Sequence, residues 1–147
     1  MEIFTQRIKR LVNYYVKLTG TRDPANIARF LGITIAILPL GNISGNYKLI
    51  NRKRWIFINE DIPVDSTFFK IVLAHELGHA IFHRKENCAF IKNRTLLLTS
   101  GIEKEANIFA AYLLLSNELL QEYSNFTKEQ LCQTTGYPQE LLELRLK

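Results

Sequence analysis

A chain of 147 residues has the length of one domain and suffices to bury a core. Hydrophobic residues make up 47% and charged residues 22%, which excludes an intrinsically disordered chain. No apolar run approaches the ~18–20 residues needed to span a bilayer. The formal net charge of +5 is uneven, with ten Lys and Arg against two acids in residues 1–59 and nine against twelve in residues 60–147. A basic half is by itself a weak pointer to nucleic acid.

The opening residues mix acidic, polar and basic side chains through their apolar positions, so they do not read as a secretory signal. Ile8, Leu11, Val12, Tyr15 and Leu18 recur at helical spacing, and Gly20 stops the helix. Asp23 followed by Pro24 is a helix start leading into Ala25–Leu31 before Gly32. Ile33–Leu38, rich in β-branched residues and ended by Pro39, reads as a strand. Tyr47–Asn51 and Trp55–Asn59 suit an antiparallel hairpin with Arg52, Lys53 and Arg54 at a solvated tip.

After Pro63, Asp65 is expected to cap a long helix over Ser66–His83. Thr99 or Ser100 is expected to cap a second, running through Glu103 to about Glu122. Thr127 with Gln130 resembles a capping box, and Pro138 opens a last short helix. No repeat or linker argues for a second domain, so residues 1–147 read as one, with a core over about 20–120 and a helical extension over 121–147. The class is α+β: a small antiparallel sheet packed on two long helices, with helical N- and C-termini.

His75-Glu76-Leu77-Gly78-His79 falls inside the first long helix. Residues four apart lie about 40° apart around a helix axis, so His75 and His79 project from one face and suit a single Zn²⁺. Glu76 lies about 100° round from His75, placed to take a proton from a metal-activated water rather than to ligate. A helix that merely happens to carry two histidines is the bland alternative. Against it, only three histidines occur in the whole chain. Gly78, which costs up to ~1 kcal/mol relative to Ala in a helix interior, makes sense where something approaches closely.

A zinc protease site needs a third protein ligand and an open position. Lys85 stands where a metzincin would place its third histidine, so that class is excluded. His83 continues the same straight helix and is assigned to its C-terminal turn, where the dipole favours a cation. The second helix offers Glu103, with Asn107 one turn on to hydrogen-bond a ligating histidine. Glu105, about 200° round from Glu103, is the less favoured alternative and would face elsewhere.

HELGH followed by Glu103-x-Glu105-Ala106-Asn107-x-Phe109-Ala110-Ala111 resembles the ImmA/IrrE family of metallo-endopeptidases. The likeness extends back through Asp23-Pro24, Leu31-Gly32-Ile33, Pro39–Ile43 with Gly45, and Ile56–Asn59, covering about residues 20–120. Leu113-Leu114-Leu115-Ser116 departs from the Leu-Leu-Met-Pro common in the family. The resemblance implies a zincin-like fold and one Zn²⁺ held by His75, His79 and Glu103, with Glu76 catalytic. The wider gluzincin pattern, a glutamate four positions before Asp or Asn, also favours Glu103 over Glu105. The family implies a cytoplasmic protease whose protein substrate is a helix-turn-helix repressor of a phage or mobile element, with no membrane partner.

Three further readings come from the residues. Trp55–Asn59, directly before the HExxH helix, is a candidate edge along which substrate adds as a strand. Tyr112 and His83 are candidates for stabilising an oxyanion. The rival function is a DNA- or protein-binding regulator whose metal site lacks proteolysis, since Ile27–Ile33 resembles half of a helix-turn-helix. However, Gly32 leads into β-branched residues where a recognition helix is needed, so direct nucleic-acid binding is disfavoured. In the C-terminal piece Leu131, Leu141, Leu142, Leu144 and Leu146 are core candidates. Cys132 reads as a small hydrophobe, and both it and Cys88 are expected as reduced thiols.

Overall fold

Ser66 adopts an extended backbone and its hydroxyl accepts from Phe69 N at 3.1 Å, starting the helix that organises the molecule, Thr67–Phe82. The cap is thus Ser66 rather than Asp65. The computed structural model describes residues 3–86, 88–91 and 101–147. In chain order the elements are α1 (Ile3–Thr19), α2 (Pro24–Phe30), β1 (Thr34–Leu38), β2 (Ile43–Ile50), β3 (Lys53–Asn59), α3 (Thr67–Phe82), β4 (Cys88–Ile91), α4 (Gly101–Leu114), α5 (Asn117–Glu122), α6 (Lys128–Thr135) and α7 (Gln139–Leu146). Asp23 caps α2 through Ala25 N with Pro24 in the first turn, and Thr127 with Gln130 closes the full capping box of α6.

The architecture is α+β. Four strands form one sheet in the order β1-β3-β2-β4. β2 pairs antiparallel with both β3 and β4, whereas β1 lies parallel to β3, so the sheet is mixed rather than wholly antiparallel. β3 is flanked on both sides, which removes Trp55–Asn59 as an edge for an added strand. The hairpin turn is Asn51-Arg52, with φ of 51° and 67°, a two-residue turn of the kind that matches strand twist.

Arg54 therefore does not sit at a solvated tip. It lies half-buried and donates to Leu31 O at 3.0 Å and Ala80 O at 3.1 Å, tying β3 to the ends of α2 and α3. Gly32 turns directly into β1, so a strand stands where a DNA-reading helix would be needed.

Residues Ile71 to Ala80 of α3 are all buried, because the sheet covers one side of the helix and α4 the other. Tyr47, Ile56 and Ile58 form the sheet's inner surface. On its outer surface the Trp55 and Phe57 rings stack with centroids 5.8 Å apart. Beyond α3, the helix α4 packs against α1 and α7. Leu131, Leu141, Leu142 and Leu144 are core residues, whereas Leu146 is 49% exposed. Cys132 is a half-buried free thiol.

The second long helix ends earlier than the sequence pattern indicates. Leu115 and Ser116 leave helical geometry, and Ser116 caps the separate α5 by accepting from Leu119 N at 3.0 Å. Arg22 donates to Tyr112 O and Leu113 O, and Arg145 to Leu115 O, so guanidiniums satisfy the carbonyls exposed at the break. Thr99 and Ser100, the expected caps at its start, lie outside the described residues.

Gly78 sets how closely α4 approaches α3. A Cβ at that position would stand 3.1 Å from Ala106 Cα and 3.3 Å from Phe109 Cβ. Gly78→Val should destabilise the protein by about 1–3 kcal/mol by overpacking against backbone that cannot yield. Urea unfolding of the metal-free protein measures this, and an unchanged midpoint would mean the helices separate freely.

Candidate metal centre

His75 and His79 lie one turn apart on α3, their Nε2 atoms 3.1 Å from each other. Glu103, in the first turn of α4, bridges them. Its Oε1 is 3.0 Å from His75 Nε2 and its Oε2 is 3.0 Å from His79 Nε2. Ligand atoms of the three residues all fall within 4.8 Å of one another, which among the described residues makes them a group able to hold a metal ion. His75 and His79 are buried, and the Glu103 side chain is 21% exposed.

The placement follows from the close contact at Ala106. At about 100° per residue, Glu103 and Asn107 lie about 60° and 100° round from Ala106 on one side of α4, and Glu105 about 100° round on the other. The first pair meets His75 and His79. Asn107, fully buried, has its Oδ1 2.6 Å from His75 Nδ1. Glu105 stays off the corner shared by the two Nε2 atoms, but it does not face away from α3. Its Oε1 lies 3.2 Å from His83 Nε2, and His83 Nδ1 lies 3.0 Å from His79 Nδ1. His83 ends α3 as its C-cap, with its ring behind His79 rather than among the converging atoms. Tyr112, an oxyanion candidate from sequence, is nine residues on from Glu103, about 13 Å along the helix axis. It carries the Arg145 guanidinium over its ring at 4.5 Å, far from the histidines.

Glu76 is fully buried, and among the described residues neither carboxylate oxygen has a hydrogen-bond partner. Gly45 of β2 makes room for it, since a Cβ there would stand 3.2 Å from Glu76 Oε2 and only 2.5 Å from Val72 Cγ1. Burial first, and the nearby Glu103 carboxylate second, raise its pKa well above the ordinary carboxylate range. Glu103 behaves oppositely. Its burial alone favours the acid form, but hydrogen bonds to His75 and His79 outweigh that and hold its pKa far below the usual value. Burial lowers the pKa of His79, an effect the Glu103 hydrogen bond partly offsets, and so favours the neutral imidazole that a metal requires.

The donor set fits a divalent cation of intermediate softness: two imidazole nitrogens and a carboxylate at one corner. An orphaned, desolvated carboxylate beside that corner supplies the same indication, because such a group is costly without a partner.

The Glu76 environment carries a stability consequence. Because its folded pKa lies above the unfolded value of about 4.5, the metal-free protein loses stability as pH rises through that window. Glu76→Gln removes the ionisation. The metal-free variant should therefore melt higher than the native chain at pH 7.5, by ~2–4 °C per kcal/mol gained, with the gap shrinking toward pH 5. A gap that is independent of pH would contradict the assignment.

Comparison with known proteins bears on this geometry. The Peptidase_M78 family profile, described as IrrE N-terminal-like domain, matches residues 28–147. "Uncharacterized immunity region protein 2" of Bacillus phage phi105 is 36% identical over 142 residues, covering 94% of this chain and 88% of the relative. "Metallopeptidase ImmA" of Bacillus subtilis (strain 168) is 28% identical over 151 residues, covering 98% of this chain and 87% of the relative. With its HExxH helix and acidic partner helix placed as described, the chain belongs to the ImmA/IrrE family and is a metallo-endopeptidase.

Proposed function

We propose that this protein is a zinc-dependent endopeptidase cutting one peptide bond in a specific protein partner, a helix-turn-helix repressor of a phage or mobile element. The observation that carries the reading is the meeting of His75 Nε2, His79 Nε2 and both Glu103 oxygens at one corner, with the unpartnered Glu76 carboxylate in the same buried region. His75, His79 and Glu103 are the metal ligands and Asn107 positions His75. The phi105 relative's immunity-region name fits a partner of this kind. A DNA-binding partner would place the reaction in the cytoplasm. Among the described residues no helix is long and apolar enough to cross a membrane.

Bound zinc would supply Lewis acidity, polarising the scissile carbonyl and acidifying the attacking water. Glu76 takes a proton from that water as its oxygen attacks the carbonyl carbon. It then passes the proton to the amine nitrogen as the C–N bond breaks. Its dry setting against Gly45 and Val72 makes it a stronger base than a solvated carboxylate. Asn107 Oδ1 accepts from His75 Nδ1–H, which leaves the Nε2 lone pair for the metal.

Among the described strands β4 is the sheet edge on this side. Phe90 pairs with Gly45, where an added Cβ would meet Glu76, and among the described strands β4 pairs only with β2. An extended substrate added along β4 would bring its backbone past the metal corner. N-methylation of substrate amides flanking the scissile bond should raise KM, and an unaffected KM would move the substrate elsewhere.

Co-expression with helix-turn-helix repressors of phage immunity regions tests the whole reading. The native chain should cleave one of them, and Glu76→Gln should cleave it about 10²–10⁴-fold more slowly while retaining one zinc per chain. Chelation should abolish cleavage and zinc should restore it. Equal cleavage by both chains would remove Glu76 from this role.

A further inference from the structure

His83 and Glu105 lie outside the converging ligand atoms, yet their hydrogen bonds lead straight to one of them. We propose that His83 and Glu105 form a positioning arm that fixes the ring orientation and tautomer of His79 as a ligand. The proposal rests on the reading of His75, His79 and Glu103 as a metal centre.

The assignment of protons follows from ligation. When His79 gives its Nε2 lone pair to a metal, its proton resides on Nδ1, and the acceptor 3.0 Å away is His83 Nδ1. His83, accepting there, carries its own proton on Nε2, 3.2 Å from Glu105 Oε1. Each N–H in the chain then has one acceptor, and the chain ends on a carboxylate. The two ligating histidines are thus held from behind by different means: His75 by an amide of α4, His79 by an imidazole backed by an acid of α4. His83 is the C-cap of α3 and Glu105 lies in the opening turns of α4, so the arm also joins the two helices at the ends linked by residues 83–100.

Metal affinity measured by competition with a chromophoric chelator tests this without reference to catalysis. His83→Phe, which can neither accept nor donate, should weaken zinc binding about 10–100-fold. His83→Asn places an acceptor oxygen near the position of Nδ1 and should recover part of that loss. Glu105→Ala should weaken binding in the native background but add little to His83→Phe, because the two act as one chain. Imidazole ¹⁵N shifts of the zinc-loaded protein give an independent readout: His79 should show a metal-bound Nε2 with its proton on Nδ1, and His83→Phe should leave that Nδ1–H exchanging faster with solvent. Native zinc affinity in His83→Phe, or His83→Asn binding no better than His83→Phe, would overturn the arm alone. A native chain that binds no zinc, or a His75→Ala variant that binds as tightly, would remove the underlying metal centre together with it.

Discussion

The contact between Gly78 and Ala106 is where fold and chemistry meet. Helices with larger residues at a crossing keep their axes about 8–10 Å apart, but here a methyl group on one helix would press on the backbone of the other. That closeness lets a glutamate of α4 reach two histidines of α3 at 3.0 Å each. It also explains the run of small residues Ala106, Ala110 and Ala111, all buried, along α4. A side chain of ordinary size at the crossing would leave His75, His79 and Glu103 in the sequence but part them in space.

The same packing creates a problem that the chemistry resolves. Residues Ile71 to Ala80 of α3 are buried all round, so the Glu76 carboxylate is shielded from bulk solvent, and only a residue without a Cβ fits beside it at Gly45 of the sheet. A buried carboxylate lacking any hydrogen bond destabilises the fold. It persists because the surrounding core over-determines its position, with Val72, Leu73 and Leu77 all buried beside it on α3. A carboxylate held dry and fixed in this way is preorganised for the proton transfer proposed for Glu76, as electrostatic preorganisation requires.

Local periodicity made part of this legible. His75 and His79 are one turn apart whatever surrounds them, and Glu103 with Asn107 shares that property. What escaped was relational. The angle from Glu103 makes Glu105 the less favoured alternative, yet the angle that matters is measured from Ala106, and that reference exists only once the crossing is known. His83, a third histidine in the same i, i+4 series, is visible in the sequence, but its pairing with Glu105 is not, because that contact exists only across the two packed helices. The break at Leu115-Ser116 escaped because the apolar pattern runs on past it; Ser116 three residues before Leu119 was the available cue. Strand order escaped for the same reason, since β1 pairs with β3 across an intervening strand and no short-range pattern encodes that.

The basic character of the chain reads differently once the arginines are placed. Arg54 donates to the carbonyls of Leu31 and Ala80, Arg22 to those of Tyr112 and Leu113, and Arg145 to that of Leu115. Each guanidinium meets the negative end of a helix, where cations are favoured and unpaired carbonyls need donors. Two of these, Arg22 and Arg54, belong to the basic N-terminal portion, so part of its charge excess holds the helix ends rather than facing outward. A net positive charge employed in this way is poor support for a phosphate-binding surface, which requires exposed cations clustered on one face. Positive charge and the candidate metal centre therefore divide the work: arginines fix where α2, α3 and α4 stop, and the fixed helices in turn bring His75, His79 and Glu103 to one corner.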